Sequence, residues 1–266
     1  METHSEDSSY STLTPRGDCP LSATPLPFVQ LEASADHAPS ERYGHSAVVV
    51  GQYMYVFGGC DVTGRFMDDL HRMELDSGCW ELIGTAASAG PDGEWPQGRH
   101  FHRMVSLDEQ SFLLLFGKSN GYMNDVWEYQ VSSRLWRRAP VPADGAASLP
   151  SRRYGHSAVS WGGDVYVFGG FDDFGLRCND IWRYERSCNR WTAVLHLQSE
   201  APDVLHHCAA TYQGSMLVWG GMDNRQQLYE FRFGSQSWSA VQVRSPPALC
   251  PRPKWGAACF MWEDSL

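Results

Sequence analysis

The sequence has no apolar run approaching the roughly 20 residues that a membrane-crossing helix needs. Its opening stretch, METHSEDSSYSTLTPRGDC, lacks the basic start and apolar core of a secretory leader, so the expected location is the cytoplasm or nucleus. Positive charge is scarce: 21 Lys and Arg stand against 31 Asp and Glu, a net charge of −10. Residues 1–41 carry −6 of that charge and the rest of the chain −4, so neither a nucleic acid nor an anionic membrane surface is an expected partner. The eight cysteines form no Cys-x-x-Cys pair and no zinc-ligand spacing, and they are expected as reduced thiols, several inside strand patterns. Nucleophile-elbow, His-Glu-x-x-His and phosphate-loop patterns are missing too. No catalytic residue, metal or cofactor is therefore expected.

What the sequence does contain is a repeat. From Arg153 to Trp191 it reads RYGHSAVSWGGDVYVFGGFDDFGLRCNDIWRYERSCNRW, and Arg42 to Trp80 follows the same plan. Looser copies run from Arg99 to Trp136 and from Val204 to Trp238. Copies start at 42, 99, 153 and 204, spacings of 57, 54 and 51 residues. The closing Trp80, Trp136, Trp191 and Trp238 each lie ten positions after an apolar residue: Leu70, Val126, Ile181 and Leu228. Paired glycines recur as Gly58-Gly59, Gly169-Gly170 and Gly220-Gly221. In copy two only Gly117 is present and Lys118 stands in the second glycine place; two extra residues before it are assigned to a turn enlarged by Asp108-Glu109-Gln110.

Each copy reads as four strands. In copy one these are Ser46–Val50, Tyr53–Phe57, Leu70–Leu75 and Trp80–Ile83, termed a to d. Links a–b and c–d are short, as tight hairpins require. Links b–c and d–a are long and variable, and an up-and-down order puts both on one edge. Insertions confined to one edge mark the binding face. Strands a and b are nearly continuous apolar runs, as expected where both sheet faces are covered.

The glycine pairs, the apolar residue ten before the Trp and the Trp itself resemble the kelch repeat over about residues 42–262. The resemblance implies an all-β chain, a kelch-type β-propeller with four complete four-stranded blades at about 42–83, 99–139, 153–195 and 204–243, and a partial fifth at 252–266. Phe28 stands where a closing Trp would, so residues 28–32 read as the last strand of a preceding blade. The favoured reading is an incomplete arc rather than a ring closed by a thin element. Residues 1–25, acidic and rich in Ser and Thr, are expected to be a disordered tail, and 26–266 the propeller.

For function the resemblance implies a non-catalytic scaffold that binds a protein or peptide on the long-link face. Substrate recognition for a cullin ubiquitin ligase is one such role, and binding of actin or a small GTPase another. The alternative is a kelch-fold enzyme of the metal oxidase or sugar epimerase type. Arg65, Arg177 and Arg225 fall in three different b–c links, where guanidinium groups would grip a carboxylate or acidic peptide. Phe66, Tyr122, Phe171 and Phe174 in the same links would supply the apolar part. Against this stands the reading of loop arginines as solubilising charges, beside Asp61, Asp172 and Asp173. His45, His102, His156 and His207 share one repeat place. A repeated structural task, hydrogen bonding to backbone at the start of strand a, is preferred for them over a metal site. Arg42, Arg99 and Arg153 are likewise expected to be structural.

Overall fold

A computed structural model describes residues 10–11, 37–89, 93–140, 149–195, 201–222 and 227–242, together with Gly256 and Cys259. Among these residues there is no α-helix. Strand β1 (Tyr10–Ser11) comes first. Blade 1 is β2 (Ser46–Val50), β3 (Tyr53–Phe57), β4 (Leu70–Glu74) and β5 (Trp80–Gly84). Blade 2 is β6 (Arg103–Asp108), β7 (Ser111–Lys118), β8 (Tyr122–Gln130) and β9 (Leu135–Arg138). Two short strands, β10 (Arg153–Tyr154) and β13 (Phe171–Asp172), pair with each other beside blade 3. Blade 3 itself is β11 (Ser157–Trp161), β12 (Asp164–Phe168), β14 (Ile181–Glu185) and β15 (Arg190–Leu195). Blade 4 is β16 (Cys208–Tyr212), β17 (Ser215–Trp219), β18 (Leu228–Arg232) and β19 (Ser237–Val241). Within every blade successive strands pair antiparallel, the kelch-type β-propeller order. β1 adds to blade 4 by pairing parallel with β19. The rest of the expected tail at 1–25, and residues 28–32, lie outside the described residues.

Tight turns hold the a–b hairpins. Gly162 and Gly163 both have positive φ (61° and 85°), as do Gln213 and Gly214 (43° and 83°). Two such residues in succession follow the right-handed twist of the flanking strands.

Three apolar cores fill the three junctions between four blades. Phe57, Tyr55 and Leu70 of blade 1 meet Phe112, Leu114, Trp127 and Trp136 of blade 2. Leu115, Phe116 and Val126 meet Val165, Val167, Trp182 and Trp191 of blade 3. Phe168 and Ile181 meet Met216, Val218, Phe231 and Trp238 of blade 4. In each junction the closing Trp of one blade packs on the strand-b aromatic of the blade before: Phe57–Trp136 at 5.7 Å, Phe116–Trp191 at 5.5 Å and Phe168–Trp238 at 4.6 Å between ring centroids. Those three Trp are buried, whereas Trp80 of blade 1 is half-buried, with no described blade before it.

The glycine pairs serve the same junctions. Gly58 and Gly59 have φ of 65° and 100°, and a Cβ on Gly58 would sit 2.6 Å from the Arg99 carbonyl of the next blade. Gly59 N–H donates to that carbonyl at 2.8 Å. The pair turns the chain and lets the next backbone approach.

Copy two corrects the sequence alignment. The arginine that opens each copy donates to the carbonyl of the first glycine in copies one and three (Arg42 to Gly58, Arg153 to Gly169), but to Phe116 in copy two. Phe116 has φ of 56° and Gly117 of 104°, so Phe116 fills the first glycine place, Gly117 the second, and Lys118 corresponds to Cys60. One residue is inserted, not two, and a bulge between Ser106 and Asp108 absorbs it while the turn stays at two residues. The sequence aligned the rings, and in that respect Phe116 does match: it packs on His156 and Trp191 as Phe57 packs on His102 and Trp136. The backbone register is one residue away from the ring.

Around the axis runs a ladder of backbone hydrogen bonds from blade to blade. Phe101 N–H donates to Gly44 O (2.6 Å), Gly155 to Phe101 (3.0 Å), His206 to Gly155 (2.8 Å) and Gly256 to His206 (2.9 Å). Gly256 thus takes the place of Gly44, so copy five counts from residue 254 instead of from 252, where the sequence reading began it. Except for Gly256 and Cys259, the 252–266 segment lies outside the described residues.

Candidate functional site

The ladder positions carry the site. All five residues have positive φ, which glycine tolerates at Gly44, Gly155 and Gly256, but two of them are Phe101 (53°) and His206 (57°). Bulky residues in the left-handed region are held there by their surroundings and concentrate at binding sites. The Phe101 ring lies over Gly44 and the His206 ring over Gly155, where a Cβ would approach them to 3.0 Å. The two rings meet edge-on at 4.3 Å.

Around this pair, aromatic rings from three blades form one connected rim. Phe66 packs on His100 (5.0 Å) and His100 on Phe101 (4.4 Å). Tyr154 contacts Phe101 (5.9 Å), His206 (5.7 Å), Tyr122 (5.3 Å) and Phe171 (6.0 Å). The Lys118 ammonium sits 5.1 Å from the Tyr122 ring and 5.3 Å from that of Tyr154. Burial, aided by Lys118 for His100 and by Arg103 for His206, pushes both imidazoles down to about 4, so they are neutral at pH 7.

Beneath the rim lies an axial cavity of about 640 Å³, walled by the starts of strand a in all four blades and by Gly256 and Cys259. Arg103 projects into it from β6, at the place that Ser46, Ser157 and Cys208 fill in the other blades. Its guanidinium donates through Nε to His156 O (3.0 Å) and through Nη2 to His207 O (3.3 Å). No carboxylate among the described residues pairs with it. The other arginines of the repeat differ. Arg42, Arg99 and Arg153 make two-pronged hydrogen bonds to Asp69, Asp125 and Asp180 at 2.5–2.9 Å, inside their own blades.

The repeat histidines do not bring four imidazoles together. His102 and His156 are fully buried and neither ring nitrogen has a hydrogen-bond partner, while His207 Nε2 meets Ser157 Oγ at 2.8 Å. Each of these three rings packs on the strand-b aromatic of the preceding blade, so the repeated task is filling the junction, not the backbone hydrogen bonding expected from sequence. Among the described residues no group of three or more His, Cys, Asp or Glu is placed to hold a metal ion.

Of the residues singled out in sequence, Phe66, Tyr122 and Phe171 lie in the rim. Phe174 is 79% exposed at the tip of its link, and Arg65 and Arg177 are exposed. Arg225 lies outside the described residues. Asp61 and Asp172 shape the loops instead of serving chiefly as counter-charges: Asp61 Oδ1 accepts from the N–H groups of Thr63 and Arg65, and Asp172 Oδ1 from those of Phe174 and Leu176. Sequence reasoning missed Arg103, Phe101, Tyr154 and His206. Comparing copies place by place supplied the signal for Arg103 and Phe101: a charge where other copies have Ser or Cys, and a ring where they have Gly.

Comparison with known proteins agrees with the fold. A family model described as the KLHDC2/KLHL20/DRC7 Kelch-repeats domain matches residues 28–170 and, in an overlapping second placement, 85–266. Kelch domain-containing protein 10 of Xenopus tropicalis is 28% identical over 192 residues, 71% of this chain and 45% of its own length. Kelch domain-containing protein 3 of Homo sapiens is 29% identical over 167 residues, 59% of this chain and 41% of its own. The leucine-zipper-like transcriptional regulator 1 homolog of Drosophila melanogaster is 26% identical over 239 residues, 84% of this chain and 23% of its own. The chain therefore spans less than half the length of these relatives.

Proposed function

The chain belongs to the kelch-repeat family, and from that premise we propose that it is a non-catalytic interaction module that takes an acidic or C-terminal peptide of a partner protein at the mouth of its axial cavity. Arg103 carries the reading. A guanidinium held in a protein wall without a counter-charge pays for desolvation that an incoming carboxylate would offset, and its free Nη1 leaves a charge-assisted donor for it. A cavity of about 640 Å³ has the size of a site for a few side chains. The rim of Phe66, Phe101, Tyr122, Tyr154 and Phe171 would grip the apolar part of the peptide. Exposed Val62, Phe174, Leu176 and Met222, all in b–c links, widen the apolar surface on the same face. Arg65 and Arg177 form an outer charged ring that steers an acidic partner.

A narrower reading has this peptide belong to a protein destined for ubiquitylation, with the chain as the substrate-recognition part of a cullin ligase in the cytoplasm or nucleus. The family resemblance supports it, and co-purification of a cullin with the chain from cells tests it.

Fluorescence polarisation with peptides carrying free or amidated C-termini, with and without internal acidic residues, tests the main reading. Arg103→Met should weaken binding by roughly 10- to 100-fold, the worth of a hydrogen bond to a charged group. Phe101→Gly, which keeps the backbone conformation, should cost about tenfold. Arg65→Ala and Arg177→Ala should each cost only a few-fold and only at low salt. Equal affinity of the native chain and a folded Arg103→Met variant would overturn the proposal, as would failure of every peptide to bind.

A further inference from the structure

Two of the cysteines meet in the axial cavity. Cys208 opens β16, and Cys259 belongs to copy five, two residues beyond the ladder by sequence count from Gly256 plus one. Both line the cavity wall along with Arg103, and the two thiols hydrogen-bond to each other. Cys208 Sγ also lies 3.5 Å from Trp219 O on the neighbouring strand. The other described cysteines, Cys60, Cys79, Cys178 and Cys188, are single thiols, and of these Cys79 and Cys188 are exposed.

We propose that Cys208 and Cys259 are a peroxide-sensitive thiol pair, oxidised to a disulfide that ties the copy-five segment to blade 4 across the wall of the axial cavity. The two cysteines have distinct parts. The Cys259 S–H donated to Cys208, followed by the Arg103 charge, favours the Cys208 thiolate, while the proton stays on Cys259. The Cys208 thiolate attacks one oxygen of hydrogen peroxide and breaks the O–O bond, giving a sulfenic acid and hydroxide. The Cys259 sulfur then attacks the sulfenic sulfur, the S–S bond forms, and the sulfenic oxygen leaves as water with the Cys259 thiol proton going to the solvent base. Two thiols lose two electrons, and one peroxide becomes two waters. The segment is already attached to blade 4 by the hydrogen bond from Gly256 to His206, so closing the pair fixes an existing contact. The proposal stands apart from peptide binding, because it needs only the two thiols and the cation beside them.

The test uses the full chain, reduced and then exposed to a slight excess of hydrogen peroxide, with remaining thiols blocked by N-ethylmaleimide. Peptide mapping without reductant should find Cys208 joined to Cys259, reversibly with dithiothreitol, and formed about tenfold faster than oxidation at Cys79 or Cys188. In Cys259→Ser, Cys208 should stop at the sulfenic acid and take up dimedone. Arg103→Met should slow the first step in both backgrounds. Absence of the linked peptide, or oxidation of Cys79 and Cys188 as fast as Cys208, would overturn the proposal; so would a Cys208 in Cys259→Ser that ignores dimedone.

Discussion

The arginine at the head of each copy is the residue whose task the geometry defines most sharply. Arg99 and Arg153 are almost wholly buried, each clamped on an aspartate and on a carbonyl of the strand-b terminus. The same pairing, first by hydrogen bonds from the arginine set against burial, holds the Asp125 and Asp180 carboxyls below the usual range. Copy four has Val204 in the arginine place and Gln227 in the aspartate place, so both partners are exchanged together. A buried pair that loses one member leaves an uncompensated charge, worth about 3–5 kcal/mol, whereas replacing both members removes the cost along with the bond. Arg153→Val and Asp180→Gln should therefore each lower stability by about that amount, and the double variant should be more stable than either single one. Denaturant midpoints of the four proteins measure it. Additive losses in the double variant would show that the two side chains act independently.

At the scale of elements, most of the fold was legible because spacing and burial coincide. Blade 1 strands a and b run from Ser46 to Val50 and from Tyr53 to Phe57 as the sequence indicates, because an apolar run ends each time at a turn residue that only a hairpin explains. Legibility failed where ring and backbone part company. Phe116 keeps the ring contact of its repeat place but occupies a glycine φ, and the extra residue is hidden in a bulge instead of a longer turn. The site was harder to read for a related reason. Its rim draws on Phe101, Tyr154 and His206, residues of the opening signature, and a signature shared by all copies looks structural until the one departure in a copy is noticed. The closing tryptophans show how one residue type takes its energy from its neighbour. Trp191 is buried against Phe116 and Tyr184, so Trp191→Ala should cost about 3–5 kcal/mol. Trp80 has His71 beside it but no described blade before it, and Trp80→Ala should cost less than about 2 kcal/mol. Thermal or urea unfolding of the pair decides this. Equal losses would mean that something else covers the outer face of blade 1.

For the whole molecule, the same histidines that fill the junctions make the arc sensitive to acid. Burial first, then the charge of Arg103, pushes His207 down to about 3, and burial with nearby arginines holds His102 and His156 well below their ordinary value. His100 and His206 at the rim lie at about 4. A folded-state pKa below the unfolded value of about 6.5 means that the unfolded chain takes up protons first as pH falls. The stabilisation is complete above pH 6.5 and drains away between there and the folded values, at up to about 1.4 kcal/mol per pH unit for each such histidine. The carboxylates paired with Arg42, Arg99 and Arg153 follow the same sign lower down, lost only as pH falls below about 4. Unfolding should thus begin to ease near pH 6.5, in a range where no carboxylate has yet titrated. Urea midpoints at pH 7.5, 6.5 and 5.5 should fall at each step, with the larger loss below 6.5, and a midpoint that stays level down to pH 5.5 would mean that these imidazoles are not held neutral. Arg103 contributes to the depression at His156, His206 and His207 alike, so a carboxylate bound to it would relieve all three. A saturating acidic peptide should for that reason flatten the fall between pH 6.5 and 5.5, and the same peptide should leave the curve of Arg103→Met unchanged.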